Sequence, residues 1–447
     1  MDYVPHSPAE TGEMLARAGF RTPDDLFRCI PAPLRLKRPL DVPGPLSEPE
    51  VVAELAALAR KNTTVDDKVS FLGGGAYNHF IPSVVEQLAS RSEFYTAYTP
   101  YQPEASQGSL QAFFEYQTMI AEICGMDVAN ASHYEGATAL AEGVAMALDY
   151  TGRDRVLISS AVHPDYRAVL RTFLGRLDVR IDEIPAAAGA TAPGDVESLA
   201  TDDTAAVVFQ SPNFFGIVEE GEALTRAAKS KGAMVVVAVD PVSLGLLKPP
   251  GHYGADIAVG EGQGLGVELA YGGPWVGFMA VRHEHVRKIP GRIVGQTVDA
   301  EGKRAFVLTL QAREQHIRRE KASSNICTNQ ALLALRATIH LAYLGREGFR
   351  EVADLCLQKA HDLADRIRGI PGFSLPFAGP FFKEFVVRTP KPPAELNRAL
   401  LTKGFFGGVE LGRWYPELAD AWLLCVTERI TKRDMDRFVD ALREAAR

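Results

Sequence analysis

The sequence predicts an α/β protein: a three-layer domain on a largely parallel sheet, followed by a smaller α+β unit. Three observations carry this. Between about Val69 and Arg282 short β-branched runs recur, at Arg155 to Ser159, Ala205 to Ser211, Met234 to Asp240, Ile257 to Gly260 and Val276 to Arg282. They are apolar almost throughout, without period-two alternation, as strands buried on both faces are. Between them, Pro164 to Leu177 and Glu222 to Gly232 have the length and composition of crossover helices, which parallel strands require.

The flanking regions read differently. Residues 1–68 carry nine of the 28 prolines, with short helical pieces at Ser7 to Ala18 and Glu48 to Arg60. A segment so interrupted is expected to wrap another body rather than to form a core of its own. After the sheet region, Asn329 to Arg368 reads as long helix. A strand near Glu384 to Arg388, a helix Pro393 to Lys403 and a strand Trp422 to Thr427 follow. The last helix is opened by Thr431 with Asp434 three residues on, the spacing of a capping box.

Composition narrows the functional classes. At 447 residues, with 46% hydrophobic and 23% charged, the chain is ample for two or three domains of about 150 residues each. A net charge of -8 gives no electrostatic reason to expect nucleic acid. No stretch approaches the roughly 18 apolar residues of a membrane span, and Met1 to Pro8 lacks the basic and apolar regions of a leader, so a cytoplasmic protein is expected. The five cysteines, at 29, 124, 327, 356 and 425, form no close pair; they read as reduced and mostly buried, with no metal site. Only 14 of the 48 basic residues are lysine, and none lies between Lys68 and Lys229.

Three features could carry chemistry. Gly136, Ala137 and Thr138 open a helix rich in small residues, where free backbone N–H groups and a hydroxyl could receive a phosphate; a plain capped helix would look the same. Asp240 closes the run VVVAVDP and would point into the crevice at the carboxyl ends of the strands. A carboxylate there could hold a pyridine nitrogen protonated, or simply cap the turn before Pro241. His163, just past another strand, could stack on a planar ring in the same crevice or be an ordinary loop histidine. Together these three fit a pyridoxal-phosphate cradle better than a nicotinamide one, because no G-x-G-x-x-G follows a strand.

Such a cradle needs a lysine roughly 20 to 35 residues after Asp240 to form a Schiff base. None occurs from Pro249 through Arg287, and Gln263 stands near the expected place. A carboxamide cannot form an imine, so this chain is not expected to hold the cofactor covalently.

Several longer motifs then become recognisable. Phe71 to Pro82 (FLGGGAYNHFIP), Glu93 to Gly108 (EFYTAYTPYQPEASQG), Asn130 to Gly136, Gly272 to Pro274, Gly291 to Gly295 and Arg313 to Thr328 resemble the glycine decarboxylase P-protein, the pyridoxal-phosphate component of the glycine cleavage system. The resemblance is to the separate N-terminal-half subunit, subunit 1 or alpha. It implies a pyridoxal-phosphate fold-type-I, aspartate aminotransferase-like body: a wrapping segment 1–68, a large domain 69–325 and a small α+β domain 326–447. It also implies a catalytic partner, subunit 2 or beta, that carries both the cofactor and its lysine, in a His-Lys pair that this chain lacks. The joint reaction would decarboxylate glycine and pass the aminomethyl group to the lipoyl arm of the H-protein.

Two loops are candidates for contact with those partners. Thr96 to Gln107 gathers Tyr98, Tyr101, Gln102, Glu104 and Gln107 around two prolines, and could line the partner's cofactor pocket or bury its tyrosines in this subunit's own interface. The run Arg313 to Lys321 (REQHIRREK) reads as a solvated helix start, with anchoring of an acidic H-protein as the alternative. Two other functions stay open: an independent pyridoxal-phosphate decarboxylase or lyase with noncovalent cofactor and His163 or Lys248 as base, and a scaffold subunit that has lost every ligand.

Overall fold

A computed structural model describes residues 5–322, 324–326 and 329–447, so Cys327 lies outside the described residues. The chain divides into two units, 1–63 and 64–447.

The first unit contains the helices Pro8–Arg17 and Glu48–Ala59 and short 3-10 turns. Both helices begin with a capping box, Ser7 with Glu10 and Ser47 with Glu50, and a proline in the first turn, where its missing N–H costs nothing. No side chain among residues 5–63 is buried, and apolar residues such as Leu34, Leu40, Val42 and Val52 stay in solvent.

The second unit is built on a seven-stranded sheet. Its spatial order is Val128–Ala129, Gly277–Val281, Ile257–Glu261, Met234–Val239, Thr204–Gln210, Arg155–Ser159 and Arg180–Ile184. The five strands from Ile257–Glu261 to Arg180–Ile184 run parallel, while Gly277–Val281 is antiparallel to both its neighbours. The apolar runs are these strands because the sheet is covered on both faces. Val235, Val237 and Phe209 face one core, and Val236, Val208 and Ile257 face the other. The two crossover helices expected are found at Pro164–Leu174 and Gly221–Lys229, and a third, shorter one is Pro193–Leu199.

One difference from the sequence reading has a clear cause. The long helical run Ala331–Arg368 is two helices, because Gly345 at φ 60° and ψ -175° breaks the backbone where a side chain would be strained. The run Arg313 to Lys321 does begin a helix, Gln315–Arg318, with residues 315–321 exposed, but the helix is a single turn that ends at Arg319, whose φ is 55°, and Glu314 before it is buried.

The C-terminal layer holds a three-stranded antiparallel sheet, with Ala421–Cys425 between Glu384–Arg388 and Val409–Glu410. Val69–Ser70 pairs in parallel with Phe405–Phe406, and Phe71 stacks on Phe438 at 3.9 Å between ring centroids. The chain after residue 71 therefore starts inside the C-terminal layer and runs toward the carboxyl edge of the large sheet. That route sets the contents of the site.

Candidate functional site

Asp240 follows the central strand Met234–Val239 directly, so its carboxylate stands at the carboxyl edge of the sheet. One oxygen accepts the N–H of Val242, which caps the turn at Pro241. The other lies 2.8 Å from the Nζ of Lys383, a residue 1% exposed just before the strand Glu384–Arg388. The loop after Asp240, where a Schiff-base amine would stand, has no lysine; the amine that reaches Asp240 comes from the C-terminal layer.

Lys383 has a partner on every side. Its Nζ donates to Nε2 of His79 at 3.0 Å and lies 3.4 Å from the centroid of the Tyr77 ring. An ammonium has no acceptor, so Nε2 of His79 must accept and the ring proton sits on Nδ1, where it is donated to Glu428 at 2.6 Å. Burial by itself pulls the Lys383 pKa down, but the charge of Asp240, with Cys425 and Cys356 close by, outweighs it and leaves the ammonium favoured. Burial works against Glu428 too, and the His79 hydrogen bond overrides it, bringing that carboxyl down to about 2.

Gln263 sits in the same cluster and is fully engaged. Its Oε1 accepts the N–H of Tyr77 at 2.8 Å, and its Nε2 donates to the carbonyls of Tyr77 at 3.0 Å and Val267 at 2.7 Å. The Tyr77 hydroxyl donates to Glu384 at 2.8 Å. The segment that delivers Tyr77 and His79 passes close under other groups, and its glycines make this possible. A Cβ on Gly73 would lie 2.1 Å from an oxygen of Glu384, and Gly74 and Gly75 have φ of 78° and 104°.

The helix Gly136–Thr151 is as expected, with a tight small-residue face, and its first N–H groups are already bonded. Those of Ala137 and Thr138 donate to the carboxylate of Glu135, and that of Gly136 to Glu261 at 3.0 Å. Burial raises Glu261 to about 7, although the N–H groups of Val276, Gly136 and Gln263 favour its anion. A Cβ on Gly136 would lie 2.0 Å from the hydroxyl of Tyr166.

His163 caps the helix Pro164–Leu174: its Nδ1 accepts the N–H of Asp165, and its Nε2 donates to the carbonyl of Gly74 at 2.8 Å. Tyr166 and Phe214 pack on the ring, as around an ordinary loop histidine. Lys248 pairs with Glu222.

These residues do not fit pyridoxal phosphate. Its phosphate would meet two carboxylates at the helix start, and its ring would have to displace Tyr77 and Lys383. The five residues of the other loop are more dispersed in role. Tyr98 is 76% exposed, and Gln102 and Glu104 are exposed. Tyr101 is 51% exposed and takes a hydrogen bond from Nη2 of buried Arg292 at 3.1 Å. Gln107 points inward and bonds both backbone groups of Phe306 at 2.9 Å, tying the loop to the hairpin Ile293–Val298 and Arg304–Thr309.

Sequence reasoning missed Lys383, Glu428 and Glu261 altogether. His79 and Tyr77 lay inside a motif it quoted, and the three consecutive glycines before them were the available signal that backbone passes through a crowded place.

Comparison with known proteins fits this architecture. The family model described as glycine cleavage system P-protein matches residues 1–442. A probable glycine dehydrogenase (decarboxylating) subunit 1 from Moorella thermoacetica is 54% identical over 443 residues, covering 99% of both chains. The protein of the same description from Desulforamulus reducens is 53% identical over 436 residues, covering 98% of both. A crystal structure of glycine decarboxylase (P-protein) of the glycine cleavage system, in inhibitor-bound form, matches all of both chains at 48% identity and a TM-score of 0.91. An alanine–glyoxylate aminotransferase from Nostoc sp., 19% identical with a TM-score of 0.62 over 86% of this chain and 97% of its own, shares the fold. The pyridoxal-phosphate fold-type-I class expected from the sequence is therefore the fold observed, and the chain belongs to the glycine cleavage system P-protein family.

Proposed function

We propose that this chain is subunit 1 of a two-part glycine decarboxylase, without a Schiff-base lysine on the loop after Asp240, and acts in the cytoplasm with a partner subunit 2. The partner carries pyridoxal phosphate on its own lysine. The pair removes the carboxylate of glycine as carbon dioxide and transfers the aminomethyl group to the lipoyl arm of the H-protein. The cofactor supplies an electron sink for the carbanion left by decarboxylation.

One observation carries the division of labour: in a chain of this family, both poles of the crevice are filled by the chain's own charged side chains. The work left to this subunit is to bind and position. In this reading Tyr98, Tyr101, Gln102 and Glu104 face the partner's pocket, with Gln107 and Arg292 holding the loop at its base. The exposed apolar side chains of residues 5–63 also support a subunit that buries them against another chain.

Exchange of the glycine carboxylate with labelled bicarbonate, measured with lipoylated H-protein, tests the reading. Activity is expected only when this chain and a lysine-bearing subunit 2 are mixed. Full activity of subunit 2 alone would reduce this chain to a scaffold and overturn the proposal.

A further inference from the structure

We propose that Lys383 is a resident counter-ion, standing on Asp240 where a cationic ligand would bind, and that Tyr77, His79 and Lys383 close this crevice permanently from within. This goes beyond the division of labour between subunits and concerns the chain alone.

The geometry around Nζ is that of an amine-binding cage. A carboxylate lies at 2.8 Å, a ring nitrogen acceptor at 3.0 Å and an aromatic face at 3.4 Å, and all are held by other parts of the chain. Tyr77 is fixed through its backbone by Gln263 and through its hydroxyl by Glu384, and His79 is fixed by Glu428. The cage was therefore built by tertiary structure and does not depend on a flexible side chain folding over.

The opposite pole is closed in the same way. Glu135 and Glu261 occupy the N–H groups that start the helix Gly136–Thr151, the place where the fold offers a seat for an anion. A protein cation thus fills the cationic end of the crevice, and protein carboxyl groups fill the anionic end.

Two rival roles for the cluster fail on chemistry. His79, Cys356 and Glu428 lie close enough together to suggest a metal ion. Such an ion would have to break the 2.6 Å His79–Glu428 bond beside a buried ammonium. Nor is Lys383 poised as a nucleophile, because its lone pair is tied up as long as Asp240 holds it as the ammonium.

The proposal is tested on the full chain without any partner. In the first experiment the native chain is incubated with pyridoxal phosphate, reduced with borohydride and mapped by peptide mass. Lys383 is expected to carry no pyridoxyl group even where surface lysines do; a labelled Lys383 would overturn the proposal. In the second, Lys383→Ala leaves a carboxylate, a ring and an imidazole around an ammonium-sized hole. Ethylammonium at about tenfold its dissociation constant should then raise the melting temperature by about 1 to 2 °C, and tetramethylammonium should not. Equal effects of the two cations, or none, would overturn it. If Lys383→Ala folds only with ethylammonium, the proposal stands; if it folds under neither condition, the labelling of the native chain decides. Because neither experiment measures decarboxylation, their failure is separate from failure of the two-subunit reading.

Discussion

The Nζ of Lys383 and the Oδ2 of Asp240 face each other at 2.8 Å, and the lysine is almost completely buried. Breaking such a pair leaves one charge unpaired in a dry place, at about 3 to 5 kcal/mol. Asp240→Asn and Lys383→Met are each expected to lose stability of that order in urea unfolding. The double variant removes both charges, so its loss should fall short of the sum by at least about 2 kcal/mol. Additive losses would show that the two groups do not depend on each other.

A lysine placed by mutation at the position the fold would call for should not restore a cofactor site. The Gln263 carboxamide accepts from Tyr77 N–H and donates twice to carbonyls, and an ammonium can do only the donating. Gln263→Lys is expected to cost about 1 to 3 kcal/mol through the unpaired Tyr77 N–H. It should give no borohydride-stable adduct at residue 263 with pyridoxal phosphate. An adduct there would mean that Tyr77 and Lys383 leave the ring space easily.

The strands buried on both faces at the centre of the large sheet were legible almost to the residue. Met234 to Asp240 was expected and Met234–Val239 is found, because buried parallel strands are continuous apolar runs whatever lies around them. The strand Arg180–Ile184, with alternating charges, and the hairpin from Ile293 to Thr309 have no such signature and went unread. At the site, the framework of Gly136, His163 and Asp240 could be placed from local spacing. What fills it could not, because Lys383 and Glu428 are brought to Asp240 and His79 only by tertiary packing. Their residue types are common on surfaces, and nothing local marks them as buried.

Stability should fall with rising pH because burial raises four carboxyls, Glu142, Glu219, Glu261 and Glu384, each to about 7, and the share of Glu142 can be isolated by substitution. Glu142, on the helix Gly136–Thr151, is buried, with Ser324 donating to it at 2.8 Å; burial raises it to about 7 from 4.5. The folded state therefore holds this proton more tightly than the unfolded state. Its contribution is complete below pH 4.5 and is lost as pH rises through 7, by up to about 3 kcal/mol. Glu428, depressed to about 2, acts in the opposite sense and in a separate window below 4.5. Glu142→Gln keeps the shape and the acceptor, and should make the fall in unfolding free energy between about pH 5 and 8 shallower by that share, leaving the shares of Glu219, Glu261 and Glu384. An unchanged slope would show that Glu142 does not hold its proton in this range.

Tyr98 and Tyr101 separate two roles that one loop could combine. Tyr101 accepts from Arg292, a side chain 2% exposed whose Nε and Nη1 have no hydrogen-bond partner among the described residues. Removing the Tyr101 hydroxyl leaves a further buried donor unpaired, so Tyr101→Phe should destabilise the isolated chain by about 1 to 3 kcal/mol. Tyr98 carries no such duty, and Tyr98→Phe should change stability by less than about 0.5 kcal/mol. In the assembled enzyme the order is expected to differ. If Tyr98 reaches the partner's pocket, losing one hydrogen bond there, worth about 1.4 kcal/mol, slows glycine decarboxylation about tenfold. Measuring kcat/KM with subunit 2 against the melting temperature of the free chain separates the two effects. Wild-type kinetics for both variants would confine this loop to packing, and a kinetic loss that merely follows stability would assign Tyr98 no place at the partner's site.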